Sequence, residues 1–456
     1  MVRFAAPLLL VAAAASPLRA QAPLPISDTT LANGLQIIVI ENHALPLVTV
    51  ELDVKNGAYT QPHEFEGLAH LYEHMFFKAN KVIPSQERYL ERLRELGASF
   101  NGTTSEERVN YFVTLGTDSL APALKFMSDA VRTPLFLEDE LVRERPVVLG
   151  EFDRNEANHF FHLFRAVDTL LWTPAYYSRK NTIGDREIIV TTTPQKMRTI
   201  QGLYYVPNNT ALILSGDITP AAGFRLGASA FGDWARGANP FATKIPDPPP
   251  LTASKAIIIE RPTRASALIM RWHGPSVATD PDATYAADVL STIIANPASN
   301  FQKNLVDKGL MFSVSLNYYT LAHTGPITAL AQIAPDKALA AERALIAEIA
   351  RFTDERYISD EELEAARKQL GIQALYEREQ SSEWAHTVGF WWATAGLPYY
   401  RTYVSNMQKV TKADIARYAR QYLVGKPFVA GVMTSPENRQ RVNLKTEDLL
   451  AKELMP

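Results

Sequence analysis

The 456-residue chain contains no cysteine. It therefore has no disulfide, no thiol nucleophile, no thiolate ligand for zinc and no cysteine that could carry an N-terminal lipid. The chain also has no strong excess of positive or negative charge, because its net charge is −3. No overall positive potential therefore favours nucleic acid or an anionic membrane as a partner. Histidine is scarce, with nine residues in all, and any grouping of histidines is therefore informative.

Long hydrophobic runs are missing except at the start of the chain. There, a positively charged residue precedes an apolar run from Phe4 to Ala15, and small residues follow. We predict that residues 1–20 are a secretory signal peptide cleaved after Ala20, because the run is short for a membrane span and contains Pro7. The mature chain is then expected to be secreted across the inner membrane, with the periplasm as the best-fitting location, and to lack a membrane span.

The rest of the chain is organised as two similar halves. In the first half, strand patterns alternate with amphipathic helix patterns as far as an apolar strand that ends at Gly216-Asp217. Residues 236–252 contain five prolines, which is typical of a semi-rigid linker, and the same order of elements then begins again. We predict an α+β fold of two homologous α/β-sandwich halves, each an antiparallel-rich sheet covered by helices. Residues 21–235 form the half with a candidate metal site, and residues 253–456 form the half without one.

The stretch HLYEHMFFK, residues 70–78, has two histidines four residues apart and a glutamate just before the second. It lies within a helix predicted over residues 64–77, where positions i and i+4 share a face and two imidazoles can bind one ion. We therefore predict that His70 and His74 are metal ligands. Glu73 lies toward the same side, where its carboxylate can accept a proton from an attacking water.

A catalytic zinc site usually has three protein ligands, so a third ligand is required from elsewhere in the chain. Composition and spacing do not identify it. His159 and His162 are three residues apart, but this pattern is more typical of a polar helix surface than of a metal site. The remaining histidines are scattered: His43, His63, His273, His323 and His386.

Residues 30–220 resemble the pitrilysin (inverzincin) family of metallopeptidases, in particular its half-length subunits such as those of the mitochondrial processing peptidase and bacterial homologues. The matching stretches, in the family's order, are TLANGLQIIVIEN, GLAHLYEHMFFK, LRELGASFNGTTSEERVNYFV, RERPVVLGEFDR and YYVPNNTALILSGDI. The resemblance implies a third ligand 77 residues after His74, which is Glu151, and a supporting glutamate seven residues earlier, which is Glu144. It also implies one Zn²⁺ per chain and hydrolysis of peptides.

Two further expectations concern the surroundings of this site. The helix that carries Glu144 and Glu151 contains Pro146, which removes a main-chain hydrogen bond and can kink the helix axis. The resemblance implies that Asn101 contacts the substrate and that its strand, with Gly102, accepts a peptide as an added β-strand. From the residues alone, the Asn101-Gly102 pair is better explained as a turn.

In this family, the C-terminal half contributes an Arg and a Tyr that face the substrate carbonyl. The second half of this chain departs from that pattern. The corresponding stretch, NLVDKGLMFSVS, has Phe312 at the aromatic position and no Arg between Asn304 and Ser315. Since donors to that oxygen contribute on the order of a few kcal/mol, we favour a heterodimer in which a homologous subunit supplies Arg and Tyr. A homodimer with weak or altered activity is one alternative. A binding or assembly subunit that keeps the metal site without cleaving peptides is another.

Overall fold

The computed structural model describes residues 24–450, so the predicted signal peptide at residues 1–20 lies outside the described residues. Eleven strands are present in this range: β1 Ile26–Thr30, β2 Gln36–Glu41, β3 Leu47–Val54, β4 Ser99–Thr104, β5 Val109–Gly116, β6 Thr210–Gly216, β7 Lys255–Glu260, β8 Ser266–His273, β9 Ser313–Tyr318, β10 Pro326–Ile333 and β11 Val429–Thr434. Residues 236–252 contain neither helix nor strand.

The α-helices in the same range are α1 Leu68–Phe76, α2 Gln86–Glu95, α3 Leu120–Arg132, α4 Glu138–Ala157, α5 His159–Leu171, α6 Pro174–Tyr177, α7 Arg186–Thr191, α8 Pro194–Tyr204, α9 Pro220–Phe231, α10 Pro281–Ala295, α11 Asn300–Gln302, α12 Ala338–Ala350, α13 Asp360–Tyr376, α14 Ser381–Thr394, α15 Leu397–Met407, α16 Lys412–Tyr422 and α17 Pro436–Val442. No helix within residues 24–450 combines the length and the apolar character that crossing a membrane requires.

The strands form two sheets built to the same plan. Their orders are β1-β2-β6-β3-β5-β4 and β7-β11-β8-β10-β9, which correspond strand for strand once β1 is set aside. Each sheet contains one parallel pair of strands, which is β2 with β6 in the first sheet and β7 with β11 in the second. All other neighbouring strands in the two sheets are antiparallel. This confirms the predicted α+β class with two antiparallel-rich sheets. Strand β4 lies at the edge of the first sheet, next to β5.

Each half contributes a helix to the core of the other. Helices α1, α3 and α9 cover one face of the first sheet, but its other face is covered by α14 from the second half, through Trp384, Val388 and Trp392. In return, α5 from the first half packs Leu163 and Val167 against the second sheet. Because these side chains are almost fully buried, each sheet needs the other half to complete its apolar contacts.

The helix that carries the two histidines is shorter than the sequence predicts. The predicted start at residue 64 is wrong: residues 63–65 form a 3-10 turn, and α1 begins at Leu68. Gly67 between them has a φ of 88°, a left-handed conformation that interrupts the helix and that glycine adopts without steric cost. Pro146, by contrast, lies inside α4, which runs unbroken from Glu138 to Ala157.

Candidate metal centre

The packing of α1 determines where its polar side chains lie. Its buried apolar residues cover the side that faces the core: Leu68, Ala69, Leu71, Tyr72, Met75 and Phe76. His70, Glu73 and His74 are half-buried and occupy the remaining face. The buried face of an amphipathic helix fixes the orientation of the helix about its own axis. These three polar side chains therefore lie together on one side.

The three predicted ligands meet between α1 and α4. His70 Nε2 lies 3.3 Å from His74 Nε2 and 3.3 Å from Glu151 Oε2, and His74 Nε2 lies 3.8 Å from the same oxygen. The two imidazole rings are nearly perpendicular, with centroids 4.8 Å apart. Within residues 24–450, this is the one group of three His, Asp or Glu side chains arranged to hold a metal ion.

The donor set fits a four-coordinate zinc ion. Nitrogen and oxygen ligands lie about 2.0–2.2 Å from tetrahedral zinc, which places them roughly 3.3–3.6 Å from one another. Two imidazoles and one carboxylate also form a donor set of catalytic zinc sites, in which a fourth position stays open. The hydrogen bond from His70 lowers the pKa of Glu151, so this carboxyl group is ionised, as a metal ligand must be.

Glu144 supports His74 from the side away from the other ligands. Its Oε1 atom lies 2.8 Å from His74 Nδ1, and its Oε2 atom accepts a hydrogen bond from the ammonium group of the buried Lys78. A proton on Nδ1 leaves the Nε2 lone pair of His74 available to a metal. Burial alone would raise the pKa of Glu144 and lower that of His74. Their hydrogen bonds and the opposite charges around them together outweigh burial, so the pKa of Glu144 is lowered and that of His74 is raised.

Glu140, one helical turn before Glu144, fastens α4 to the chain that follows α1. Its carboxylate accepts hydrogen bonds from the main-chain N–H of Ala79 at 3.1 Å and of Gln86 at 3.2 Å. Neither Glu140 nor Lys78 was identified from the sequence. Spacing was the available signal, because Lys78 lies four residues after His74 and Glu140 lies four residues before Glu144.

Glu73 lies against the edge strand β4. Its Oε2 atom accepts a hydrogen bond of 2.6 Å from the hydroxyl of Thr104, another residue that the sequence did not point to. Gly102 also approaches Glu73, and both Gly102 and Asn101 lie inside β4, so the explanation of this pair as a turn is wrong. Side chains alternate along a strand, so Asn101 faces away from Glu73 and its amide oxygen accepts the Gly102 N–H.

Two other predicted features lie apart from this cluster. His159 is half-buried at the start of α5. His162 is also half-buried, and its Nε2 lies 2.8 Å from the main-chain oxygen of Glu156, so neither histidine belongs to the metal-binding group. Phe312 stands just before β9 with 63% of its surface exposed, while its N–H bonds to the carbonyl of Gln332. The aromatic ring at this position is therefore presented to solvent.

A fold of two matching α+β halves, with His-x-x-Glu-His on one helix facing a glutamate from another, is that of the inverted-motif metallopeptidases. Comparison with known families agrees. Residues 36–180 match Insulinase (Peptidase family M16), and residues 191–370 match the Peptidase M16 inactive domain. Together these matches cover most of the chain, which belongs to the M16 peptidase family.

Several curated relatives are zinc proteases. An uncharacterized zinc protease of Rickettsia felis is 23% identical over 80% of this chain and 87% of its own length. The zinc protease PqqE of Helicobacter pylori is 27% identical over 49% of this chain and 50% of its own length. An insulin-degrading enzyme homolog of Dictyostelium discoideum is 32% identical over 30% of this chain, and this match spans only 14% of that protein.

Solved structures share the fold along nearly the whole chain. A protease from Helicobacter pylori has a TM-score of 0.80 at 20% identity, with 90% of this chain and 99% of that chain covered. The first half of the periplasmic protease PqqL from Escherichia coli has a TM-score of 0.78 at 19% identity, with 94% and 96% covered. Against the longer PqqL structure, this chain covers 50% of the length. The chain thus has the fold of an M16 peptidase half.

Proposed function

We propose that this protein is an exported zinc metalloendopeptidase that hydrolyses peptides or small unfolded polypeptides. The observation that carries the proposal is the convergence of His70, His74 and Glu151 beside the carboxylate of Glu73. The names of the zinc protease relatives support the same chemistry.

In this proposal each residue of the centre has one role. His70, His74 and Glu151 would hold one Zn²⁺, and Glu144 would keep the Nε2 lone pair of His74 directed at it. A bound zinc ion would supply Lewis acidity that activates water and polarises the scissile carbonyl. Glu73 accepts a proton from the attacking water and later delivers it to the leaving amine.

The edge position of β4 supports the proposed mode of substrate binding. Strand β4 pairs with β5 on one side only, so the main-chain groups on its other side are available to an extended peptide. A peptide added as a further strand would be held mainly through main-chain hydrogen bonds, with little dependence on its sequence. Gly102 and Asn101 lie on this strand, and the scissile bond would thereby be placed near Glu73.

We propose further that a homologous subunit completes the active site. Phe312 has no hydroxyl group to donate, and the sequence has no Arg between Asn304 and Ser315, so this chain offers neither donor that the family places at the substrate carbonyl. A zinc-free partner with Arg and Tyr would supply both. A homodimer with weak or altered activity is the alternative, and strong peptidase activity of the purified single chain would count against the heterodimer.

Export to the periplasm is part of the proposal. It is supported by the N-terminal signal-peptide pattern, and the PqqL structure that shares this fold is described as a periplasmic protease. Detection of a mature chain that begins after Ala20, in a periplasmic fraction, is the expected result. An uncleaved chain in the cytoplasm would contradict it.

A non-proteolytic role is the second candidate, favoured by the match of residues 191–370, which include much of the second half, to the Peptidase M16 inactive domain. The chain would then be a binding or assembly subunit that retains a metal site. Glu73 distinguishes the two candidates, because a general base has no role in a subunit that only binds.

The deciding experiment measures zinc content and peptide cleavage together, with and without a homologous partner chain. Glu73→Gln should keep its zinc and lose cleavage by about a hundredfold or more, because the amide cannot accept the proton. Glu64→Gln, which changes an exposed glutamate outside α1, is the matched control and should cleave as the wild type does. Unchanged cleavage by the Glu73 variant would eliminate the mechanism, and a wild type without bound divalent metal would eliminate the site.

A further inference from the structure

The hydroxyl of Thr104 holds the carboxylate of Glu73 in one orientation. Thr104 is half-buried on β4, and its Oγ1 donates a hydrogen bond of 2.6 Å to Glu73 Oε2. A hydrogen bond from a hydroxyl to a carboxylate at this distance is charge-assisted and stronger than a bond between neutral groups. It occupies one carboxylate oxygen of Glu73 and leaves Oε1 as the acceptor for a further proton.

Gly102 provides the space in which Glu73 lies. It is two residues before Thr104, so both face Glu73 from the same side of β4. A Cβ atom at Gly102 would lie 3.0 Å from Glu73 Cγ, 3.3 Å from Glu73 Oε1 and 3.1 Å from the main-chain oxygen of Asn110. These distances are tighter than ordinary contacts, so the strand is shaped closely around the glutamate side chain.

We propose that Thr104 is a positioning residue that fixes the Glu73 carboxylate relative to the peptide bound on β4; this inference rests on the proposed function. A glutamate side chain has three rotatable bonds, and a general base acts only when its oxygen is within hydrogen-bond reach of the proton. Because Thr104 belongs to the strand proposed to bind the substrate, the base and the peptide are aligned by the same stretch of main chain. Small misplacements of such a group lower the rate strongly.

The test removes the hydroxyl while keeping the shape of the side chain. Thr104→Val should lower kcat about tenfold or more, with KM and zinc content unchanged, because the strand and the ligands are untouched. Thr104→Ser keeps the hydroxyl and should restore most of the rate. The matched control is Thr114→Val on β5, which removes a hydroxyl bonded to Thr49 elsewhere in the same sheet and should leave kcat unchanged.

Several outcomes would overturn the role of Thr104. These are a Thr104→Val enzyme with the wild-type kcat, a Ser variant as slow as the Val variant, or an equal loss in the Thr114→Val control. A change confined to KM would also overturn it, since the hydroxyl would then act on substrate binding rather than on the base.

A second measurement needs no catalysis and separates this inference from the proposed function. In the zinc-free protein, Thr104→Val should lower the unfolding temperature by about 2–4 °C, and by much less when Glu73 is already replaced by Ala. Equal shifts in both backgrounds would refute the contact. If the wild type neither binds zinc nor cleaves peptide, the proposed function fails and the positioning role fails with it. The comparison of unfolding temperatures in the two Glu73 backgrounds still reports whether Thr104 holds Glu73.

Discussion

Glu342 should make the stability of the protein depend on pH. It lies on α12 in the core of the second half, is 0% exposed, and neither of its carboxylate oxygens has a hydrogen-bond partner among the described residues. Burial raises the pKa of Glu342 from 4.5 to about 8. At neutral pH this carboxyl group is therefore protonated in the folded protein and ionised in the unfolded chain.

The free energy of unfolding should fall as the pH rises through this window. Between pH 4.5 and about 8, the folded state binds a proton that the unfolded state has released, so higher pH favours unfolding. Each pH unit changes the free energy of unfolding by about 1.4 kcal/mol, which amounts to as much as about 5 kcal/mol over the whole window. Glu342→Gln substitutes a neutral amide of similar size and should remove this contribution.

Urea denaturation from about pH 5 to about pH 8, followed by circular dichroism, measures the effect. The Glu342→Gln variant should be within about 1 kcal/mol of the wild type at the acid end and more stable by several kcal/mol at the alkaline end. Glu361→Gln, at an exposed position on α13, should follow the wild type throughout. Parallel wild-type and Glu342→Gln curves over this range would refute the ionisation of Glu342 as the cause.

Two more predictions test the packing between the halves. Gly389→Ala should destabilise the protein, although alanine favours helices, because a Cβ at this position of α14 would lie 2.6 Å from the Asp53 carboxyl carbon. A melting temperature at or above that of the wild type would contradict this expected clash. Val167→Ala on α5 removes two buried methyl groups that face the second sheet and should cost about 2 kcal/mol in urea denaturation, whereas a cost near zero would mean that α5 contributes little there.

The sequence predicted the order of strands and helices better than it predicted their packing. Alternating apolar residues in β3 and the apolar runs of β6 and β11 marked these strands, because the side-chain period is a property of each segment alone. Helices α5 and α14 are different. An amphipathic helix must bury its apolar face, but its sequence does not state which sheet it will cover, so the exchange of these helices between the halves was not predicted.

The same distinction separates the parts of the metal centre. His70, Glu73 and His74 were predictable because one helix turn brings them together, and this spacing is visible in the sequence. Glu151 is on a different helix, so no local pattern connects it to the histidines, and only the family resemblance identified it. Thr104 was missed for a further reason: a threonine in a strand is ordinary, and its significance comes from the glutamate that tertiary packing places 2.6 Å away.

The reciprocal packing also explains how a half without metal ligands affects the metal site. Helix α4 carries Glu144 and Glu151 and ends at Ala157, and α5 follows after a single residue. Helix α5 is buried against the second sheet, so the C-terminal end of α4 is held through it by the second half. Its other end is held by Glu140, which bonds to the main chain after α1. The distance between Glu151 and the histidines therefore depends on contacts at both ends of α4, and the second half is structurally part of the centre although it supplies no ligand.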